Sequence, residues 1–485
     1  MPPLRLIAET FGQDLETGFA AIRSELDVPL TFPPEVLAEA EAVSRRGPTL
    51  PTGGVTDTYA DRTDLELITI DPPGSTDLDQ AFAAEETPSG YRVWYAIADV
   101  AAFVAPGGAL DAEARRRGVT LYSPDMRASL HPEALNESAG SLLPHTTKPS
   151  VLWQIDLDHD GQQIDAHAHR AMVRSRARLS YREAQDQIEA GTDNRSLRLL
   201  RTIGELRVAI EADRGAISLQ LPAQEIRRLP SGDYELFYDR SMPVESWNAQ
   251  ISLLTGMAAG AIMVDAGHGL LRTLPPLDDE TVAQVRRAAR ALDIEWSRDE
   301  SYPDRMRRLD PNIGPEAALL TRAARSFRGA GYAAFLDGET PDQPLHGAIA
   351  AIYAHVTAPL RRVCDRFANE IILAHCAGRP APEWALAALD DLPATMQGSR
   401  QRDRALERAT VDFVEAVALR GRVGDTFDGV VLSHRRRGAN IQLRDPAVLA
   451  GISEKPDLGA ALRVRLDAVD PDARRVEFAI EGNAE

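Results

Sequence analysis

The sequence predicts an α+β protein, with a central domain of mixed sheet surrounded by helices, a small N-terminal helical domain and a small C-terminal β-barrel. Three observations lead to this prediction. At 485 residues the chain is too long for one ordinary domain, and a hydrophobic share of 44% can bury several cores. Apolar residues recur at helical spacing within residues 1–46. Short strands separated by turn residues fill residues 421–485.

Two helices are predicted near the N-terminus. Leu15, Phe19, Ile22 and Leu26 recur at helical spacing, and a second helix begins at Pro33-Pro34 and ends at Gly47. Together they could form a helix-turn-helix-like domain over residues 1–56. The segment Gly47–Thr58 is rich in Pro, Gly and Thr and is predicted to be a linker.

The central domain is predicted over residues 57–400, with a connecting helix over 401–420 and the barrel over 421–485. Its predicted strands are Leu65–Ile70, one or two strands within Arg92–Val104, and Val151–Asp158 and Gln163–Val173. Its later helices begin at Asp278 or Asp279, run from about Pro359 to Ala377, and run from about Gly398 to Leu419. The barrel strands are Thr426–Leu432, Ala439–Leu443, Leu462–Val469 and Arg474–Ile480, a length and spacing typical of an OB-fold.

Composition excludes several classes of protein. The net charge of −19 argues against a surface that is basic all over, although a local basic channel remains compatible with it. Two cysteines, Cys364 and Cys376, exclude a disulfide framework and a multi-cysteine zinc site. Met1–Gln13 has no signal-peptide core, and polar residues interrupt the apolar stretch Ser246–Val264, which we interpret as a buried helix. We expect a cytoplasmic protein without membrane contact.

An acidic motif follows the first central strand. Asp71 stands at the strand end, and Pro72-Pro73-Gly74 prevents the strand from continuing. Asp77 and Asp79 are two residues apart, so in an extended segment both carboxylates point the same way. Converging carboxylates need a cation, and oxygen ligands suit Mg²⁺ or Mn²⁺. The alternative is a solvated acidic turn whose side chains point apart.

A basic motif, Arg361-Arg362, follows Pro359, which is a typical first residue of a helix. Arginines in a first helical turn oppose the helix dipole, so their presence there favours a phosphate-binding role. The alternative is an ordinary surface pair. Arg435, Arg436 and Arg437 lie in a predicted barrel loop, where they either grip a single strand or form a solvated face. Tyr122 is either a core residue or a stacking surface for a base.

Four blocks in this order resemble the RNase II (RNB) family of 3′→5′ exoribonucleases. They are Ile70–Ala81, then Ile97–Val100 leading through Tyr122-Ser-Pro-Asp125 to His131–Leu135, then Arg178–Tyr181, and Tyr353–Asp365. The resemblance covers roughly residues 60–400 and implies a central RNB catalytic domain followed by an RNA-binding OB module. It also implies a short variant, since the N-terminal part cannot hold the usual two cold-shock domains.

The resemblance implies roles for particular residues. Asp71, Asp77, Asp79 and Gln80 match the metal-binding positions, with Asp79 and Arg361 as catalytic residues and Arg361 on the scissile phosphate. Tyr122 matches the tyrosine near the last nucleotide. The other RNA-contact candidates are Tyr181, Tyr353, Arg362, Arg435, Arg436 and Arg437. This sequence departs from the family pattern at Gln80, which replaces the last aspartate, and at Ala358 and Val363, which replace Ser and Tyr.

The function implied is Mg²⁺-dependent, processive hydrolysis of single-stranded RNA to nucleoside 5′-monophosphates, with Mn²⁺ as a possible substitute. No P-loop or Rossmann fingerprint occurs, so we expect no nucleotide cofactor, and we expect a monomer. Two other functions stay open. A non-catalytic RNA-binding protein with a decayed site is suggested by Gln80, and a metal-dependent endonuclease would produce internal fragments.

Overall fold

The computed structural model describes residues 4–51, 58–219, 223–239, 241–327 and 329–484. The helices are α1 Ala8–Glu25, α2 Pro34–Arg46, α3 Ala109–Arg117, α4 Tyr181–Glu189, α5 Arg195–Asp213, α6 Pro243–Ala266, α7 Asp279–Ala291, α8 Tyr302–Arg307, α9 Gly314–Ser326, α10 Val363–Cys376, α11 Glu383–Ala387 and α12 Leu392–Leu419. The predicted domain boundary at residue 56 and half of the predicted linker, residues 52–57, lie outside the described residues.

The first ten strands are β1 Leu4–Leu6, β2 Ala60–Asp61, β3 Ile68–Asp71, β4 Gln80–Thr87, β5 Gly90–Ala98, β6 Leu121–Tyr122, β7 Arg127–Ala128, β8 Thr147–Asp158, β9 Gln163–Arg174 and β10 Ala177–Ser180. The others are β11 Ala223–Arg228, β12 Tyr234–Asp239, β13 Gly269–Thr273, β14 Gly331–Phe335, β15 Leu345–His346, β16 Ala351–Ile352, β17 Thr426–His434, β18 Ala439–Leu443, β19 Leu449–Ile452, β20 Ala461–Asp470 and β21 Arg475–Asn483.

The central sheet has seven strands in the order β10-β3-β4-β5-β8-β9-β2. The outermost pairs β10–β3 and β2–β9 are parallel and the inner pairs are antiparallel, which confirms the predicted mixed sheet. Alternate residues serve two separate cores: Phe82 and Tyr95 face one, whereas Ala83 and Trp94 face the other. Because both faces are covered, the strands read as nearly continuous apolar runs.

The two N-terminal helices pack into different cores. Leu15 and Phe19 of α1 join the core of the C-terminal barrel and α12. Val36 and Ala40 of α2 join the core beneath the central sheet. The helices are therefore present as the apolar spacing predicts, but they differ from a self-contained helix-turn-helix-like domain, because each covers a core built mainly by other parts of the chain.

The C-terminal strands close into a five-stranded barrel in the order β17-β18-β19-β21-β20. β19 and β21 pair in parallel and the other neighbours are antiparallel. This arrangement confirms the predicted OB-like barrel. The sequence did not predict β19, which is four residues long and includes a glycine, Gly451.

Helix α6 contains the apolar stretch that the sequence singled out. Within the described part of the chain, only this helix is long and apolar enough to cross a membrane, with a mean hydropathy of 1.4. Half of that window is buried inside the protein. Trp247, Ile251 and Leu254 pack in the core of the central domain, and the helix contacts α5 and α10. α6 is therefore a core helix of this fold, as we expected.

Candidate active site

The acidic motif lies at one end of the central sheet. Asp71 is the last residue of β3 and is in register with Ser180 at the end of the parallel strand β10. A turn closed by the Ser75 N–H donating to the Pro72 carbonyl follows, and the chain returns through Asp77 and Asp79 into β4. The paired strands thus hold the two halves of the motif at the same end of the central sheet.

Asp79 is almost fully buried, with 1% of its surface exposed. Its Oδ1 accepts a hydrogen bond from the Leu360 N–H at 2.8 Å. Its Oδ2 lies 3.0 Å from Arg361 Nε, close enough for an ion pair but not aligned as a hydrogen bond. Burial raises the pKa of Asp79 to about 7, against the opposing influence of Arg361 and of the Leu360 N–H. This carboxylate therefore sits in a strongly desolvated place beside one arginine.

Asp71 and Asp77 have different partners. Burial raises the pKa of Asp71 to about 6, Arg361 opposes the rise, and the charge of Asp77 adds to it. Asp71 Oδ2 is buried and has no hydrogen-bond partner in the described structure. Asp77 Oδ1 lies 2.8 Å from Arg127 Nη1, and Asp77 Oδ2 is 3.5 Å from the Tyr122 hydroxyl. Arg127 also contacts Glu137, so it joins two acidic side chains.

The fit of a divalent cation to this motif is partial. Over the described residues, no group of three His, Cys, Asp or Glu side chains lies close enough to hold a metal ion. The convergence that we predicted from the spacing is therefore incomplete, because Arg127 pairs with Asp77 and Arg361 pairs with Asp79. The donor chemistry does fit, since Asp71 and Asp79 each present a buried carboxylate oxygen without a hydrogen bond.

Gln80 is held by hydrogen bonds at both ends of its amide. Its oxygen accepts from the Tyr95 hydroxyl at 2.6 Å, and its nitrogen donates to the Thr357 carbonyl at 2.6 Å. The Tyr95 hydroxyl also lies 2.8 Å from Ser252 Oγ. Gln80 therefore connects β4 to the segment that carries Arg361, and its role as a metal ligand stays a prediction.

Arg361 and Arg362 were predicted to lie in the first turn of a helix, but in the structure both residues precede that helix. α10 begins at Val363, and Arg362 is its N-cap residue, so neither arginine lies in the first turn. Arg362 instead pairs with Asp365 of that turn, Nη2 to Oδ2 at 2.7 Å. The same carboxylate accepts from the Ala358 N–H at 2.7 Å, which fixes the bend before the helix. Arg361 keeps 44% of its side chain exposed while touching Asp79, so it can also reach a substrate.

The three tyrosines occupy different environments. Tyr122, on the short strand β6, is 50% exposed and offers a ring surface beside Asp77. Tyr181 is the first residue of α4 and is half-buried, and burial raises the pKa of its hydroxyl. Tyr353 is 9% exposed, and its ring meets His346 and His355 edge-on. The structure therefore favours a packing role for Tyr353 over the RNA contact that the sequence suggested.

A cavity of about 350 Å³ opens beside Arg361 and Tyr122. It is lined by Val119, Thr120, Tyr122, Arg272, Tyr332, His355, Arg361, Arg362, Met396, Arg400 and Asp403. Four arginines against one aspartate make it basic. It is separate from the loop that carries Arg435, Arg436 and Arg437, which are exposed between β17 and β18.

Several cavity residues escaped the sequence reasoning. Tyr332 on β14 shares a hydrogen bond of 2.7 Å with His355 Nδ1, and the Arg272 guanidinium stacks 4.7 Å from the centre of the Tyr332 ring. Burial holds the pKa of His355 well below its usual range, so the imidazole is neutral. Of these three residues, only His355 belongs to a motif that the sequence analysis identified, the block Tyr353–Asp365. Arg272 and Tyr332 come together through the pairing of β13 with β14, which no local pattern reveals.

Comparisons with known protein families show which family this chain belongs to. Residues 59–378 match the RNB domain family, and residues 425–481 match the RNase II-type exonuclease C-terminal S1 domain. The chain therefore belongs to the RNB-domain family.

Among its relatives, ribonuclease R of Aquifex aeolicus is 26% identical over 520 residues, which cover 98% of this chain and 72% of that protein. Exosome complex exonuclease RRP44 of Mus musculus is 28% identical over 69% of this chain but only 36% of its own length. An inactive exonuclease DIS3L2 of Arabidopsis thaliana is also 28% identical, over 63% of this chain and 32% of its own. The family thus includes proteins named as active and as inactive.

Solved structures show the same fold. Mycoplasma genitalium RNase R in complex with ribose-methylated single-stranded RNA aligns with a TM-score of 0.84 at 19% identity, covering 96% of this chain and 78% of that one. Yeast Ssd1, a pseudonuclease, aligns with a TM-score of 0.61 at 15% identity, covering 86% of this chain and 52% of that one. At these identities the likeness concerns the fold.

Proposed function

We propose that this chain is a hydrolytic 3′→5′ exoribonuclease that degrades single-stranded RNA processively to nucleoside 5′-monophosphates with Mg²⁺, or Mn²⁺ in its place. One observation carries the proposal. Asp71, Asp77 and Asp79 lie at one end of the central sheet, Asp79 pairs with Arg361, and Arg361 and Tyr122 line the adjacent basic cavity. Membership of the RNB-domain family and the similarity to ribonuclease R support it.

Each residue has a role in this proposal. Asp71, Asp77 and Asp79 would hold the divalent cation. When bound, such an ion lowers the pKa of a water and neutralises charge on the leaving oxygen. Arg361, whose side chain is 44% exposed, binds the scissile phosphate and stabilises the charge that develops there. Tyr122 stacks on the terminal base, an interaction that tolerates any base.

The basic cavity supplies the remaining substrate contacts. Arg272 and Arg400 neutralise backbone phosphates, and Arg362 stays tied to Asp365 so that the Arg361 backbone keeps its position. We expect the enzyme to act as a monomer in the cytoplasm without a nucleotide cofactor. We also retain Arg435, Arg436 and Arg437 as proposed RNA contacts of the barrel.

A second candidate function is RNA binding without catalysis. Two observations favour it. Gln80 supplies a hydrogen-bonded amide in place of a carboxylate, and Asp77 already forms an ion pair with Arg127. Both features lower the negative charge available to a cation. A relative named as an inactive exonuclease is similar in sequence, and the solved structure of a pseudonuclease has a similar fold.

One experiment separates these functions. Single-stranded RNA labelled at its 5′ end is incubated with the protein in Mg²⁺ or in EDTA, and products are resolved on a gel and by chromatography. The exonuclease releases 5′-mononucleotides and leaves a short labelled end product only in Mg²⁺. An endonuclease yields internal labelled fragments, and a binding protein shifts the RNA without cutting it. Asp79→Asn is the control, because it should bind RNA but release nothing.

A further inference from the structure

The ring of Tyr122 is carried by a very small hairpin. β6 and β7 are each two residues long, and Tyr122 is directly opposite Arg127. The Ser123 N–H donates to the Met126 carbonyl at 2.8 Å across the turn. In the described part of the chain these two strands form a sheet of their own. Because an isolated two-stranded hairpin is at best marginally stable, its position depends on the elements that it packs against.

The two faces of this hairpin meet different surroundings. Tyr122 and Arg127 lie on one face and both reach Asp77, the Tyr122 hydroxyl at 3.5 Å and Arg127 Nη1 at 2.8 Å. Leu121 and Ala128 are also directly opposite each other, and because side chains alternate along a strand they lie on the other face. Both are buried in the core to which α1, α12 and the barrel contribute. The hairpin therefore connects that core to the candidate active site.

The residues that flank the hairpin hold its open end. The Thr120 N–H, just before β6, donates to the Arg361 carbonyl at 3.0 Å. The Thr120 hydroxyl accepts from the Leu130 N–H at 3.0 Å. After β7, the Ser129 carbonyl accepts from Arg117 Nη1 at 3.0 Å. These contacts fix the start and the end of the hairpin, but they do not reach its turn.

A buried ion pair holds the turn itself. Asp125 lies in this turn, and its Oδ1 is 2.6 Å from Nη1 of Arg23, which lies in the last turn of α1. The two side chains are only 13% and 7% exposed. Over the described residues, this pair supplies the hydrogen bond that joins residues 123–126 to another element of the fold. Since removing one partner of a buried pair leaves an uncompensated charge, this contact constrains the turn more than an exposed pair would.

Helix α1 is a fixed support for the turn. Leu15, Phe19 and Ile22 are almost fully buried and pack in the core with α12 and the barrel. Arg23 directly follows this apolar stretch, so its side chain extends from a backbone that is held in place. The position of Asp125 is therefore referred to the core of the protein and not to the solvent.

We propose that Arg23 is a positioning residue for the reaction. Through its ion pair with Asp125, it fixes the turn of the hairpin so that the ring of Tyr122 stays in place to stack on the terminal base. The inference rests on the proposed function, because it takes Tyr122 as that stacking surface. Arg23 is itself buried, so it acts through Asp125 and not by touching RNA. A small displacement of a substrate-positioning group lowers the rate of the chemical step more than it lowers affinity.

The test uses RNA of about 12 nucleotides that carries 2-aminopurine as its 3′-terminal base. Stacking quenches the fluorescence of this base, and EDTA prevents hydrolysis during the measurement. Arg23→Met removes the charge, Arg23→Lys retains it, and Tyr122→Ala defines the signal of the unstacked base. Glu25→Gln is the matched control, because it removes an ion pair between the same helical turn and Arg474 of the barrel. Melting temperatures monitor folding, and kcat and KM are measured in Mg²⁺.

A double variant, Arg23→Met with Asp125→Leu, keeps the test decisive if the single variant folds poorly. It removes both charges together, and replacing a buried ion pair by apolar residues is often neutral for stability. It should therefore melt near the wild type while it lacks the contact that holds the turn.

We expect Arg23→Met and the double variant to fluoresce like Tyr122→Ala, and Arg23→Lys to recover part of the quenching. Their kcat should fall about tenfold while affinity for the RNA changes less than about twofold. The control should match the wild type in both measurements. This split between kcat and affinity, with rescue by lysine, would support a positioning role.

Quenching and kcat like those of the wild type in the double variant would overturn the inference. An equal loss in Glu25→Gln would also overturn it, because any disturbance of α1 would then suffice. Quenching that survives Tyr122→Ala would show that this ring does not stack on the terminal base, and the inference would fall with it. If the wild type releases no mononucleotides in Mg²⁺, the proposed nuclease is refuted, whereas the fluorescence measured in EDTA still decides the role of Arg23.

Discussion

Replacing Asp79 by asparagine should stabilise the metal-free protein while it abolishes hydrolysis. Burial raises the pKa of Asp79 from 3.8 to about 7. A rise of about 3 pH units corresponds to about 4 kcal/mol of unfavourable free energy for the ionised form. Because the folded state binds this proton more tightly than the unfolded state, stability falls as pH rises from about 4 to 7. Above that range the buried charge is present in full.

The asparagine variant lacks this ionisation. Its amide oxygen can still accept from the Leu360 N–H, whereas its amide nitrogen faces Arg361 Nε, an arrangement that costs about 1–3 kcal/mol. The net gain in unfolding free energy at pH 8 should therefore be about 1–3 kcal/mol, and it should be smaller at pH 5. RNA affinity should be unchanged. Hydrolysis should fall by more than the roughly 10–100-fold that is typical for losing an outer partner of a metal site.

The assay is thermal unfolding of both proteins in EDTA at pH 5 and pH 8, repeated with Mn²⁺. The difference in Tm between variant and wild type should widen with pH. Added Mn²⁺ should raise the Tm of the wild type at pH 8 more than that of the variant, because a ligand stabilises the state that binds it. A difference in Tm that is independent of pH, or near-normal turnover by the variant, would refute the reasoning.

Three further predictions concern the same site. Arg361→Ala should lower kcat about 10²–10³-fold in single-turnover assays while RNA affinity changes little, and equal losses in both would show that Arg361 only positions RNA. Arg127→Gln should release Asp77 and tighten Mn²⁺ binding measured by calorimetry, whereas unchanged affinity would show that the pair does not compete with the ion. Gln80→Asp should lower stability by about 1–3 kcal/mol in denaturant unfolding, because the Thr357 carbonyl loses its donor; unchanged stability would contradict this bridging role.

The sequence predicts the sheet and barrel well because their signals are local. Apolar runs in the central sheet, alternating apolar residues in the barrel and turn residues mark most of their strands, and Asp71 stands at a predicted strand end. The short strand β19 and the exact start of α10 are harder to predict from the sequence. The Asp365 carboxylate fixes the bend before α10, so the helix begins four residues later than the proline at position 359 suggests.

The contacts that organise the site are long-range, and the sequence does not reveal them. Arg127 is 50 residues from Asp77, and the Gln80 amide meets the Thr357 carbonyl 277 residues away. Composition and spacing say nothing about which arginine meets which aspartate. The three aspartates lie near one end of the central sheet, but two of them pair with arginines and no three acidic side chains in the described part of the chain lie close enough to hold an ion, so the metal site stays a prediction.

The shared core of α1, α12 and the barrel makes the two ends of the chain a single cooperative unit. The ring of Phe19 packs edge-to-face against the rings of Tyr234 and Phe413. Arg474, in the turn between β20 and β21, forms an ion pair with Glu25 of α1. α1 packs on α12, and α12 packs on the barrel strands β20 and β21, so an excised barrel would expose an apolar surface that α12 normally covers. Truncating the first helix would loosen the opposite terminus of the polypeptide, although the segment looks dispensable on a linear domain map.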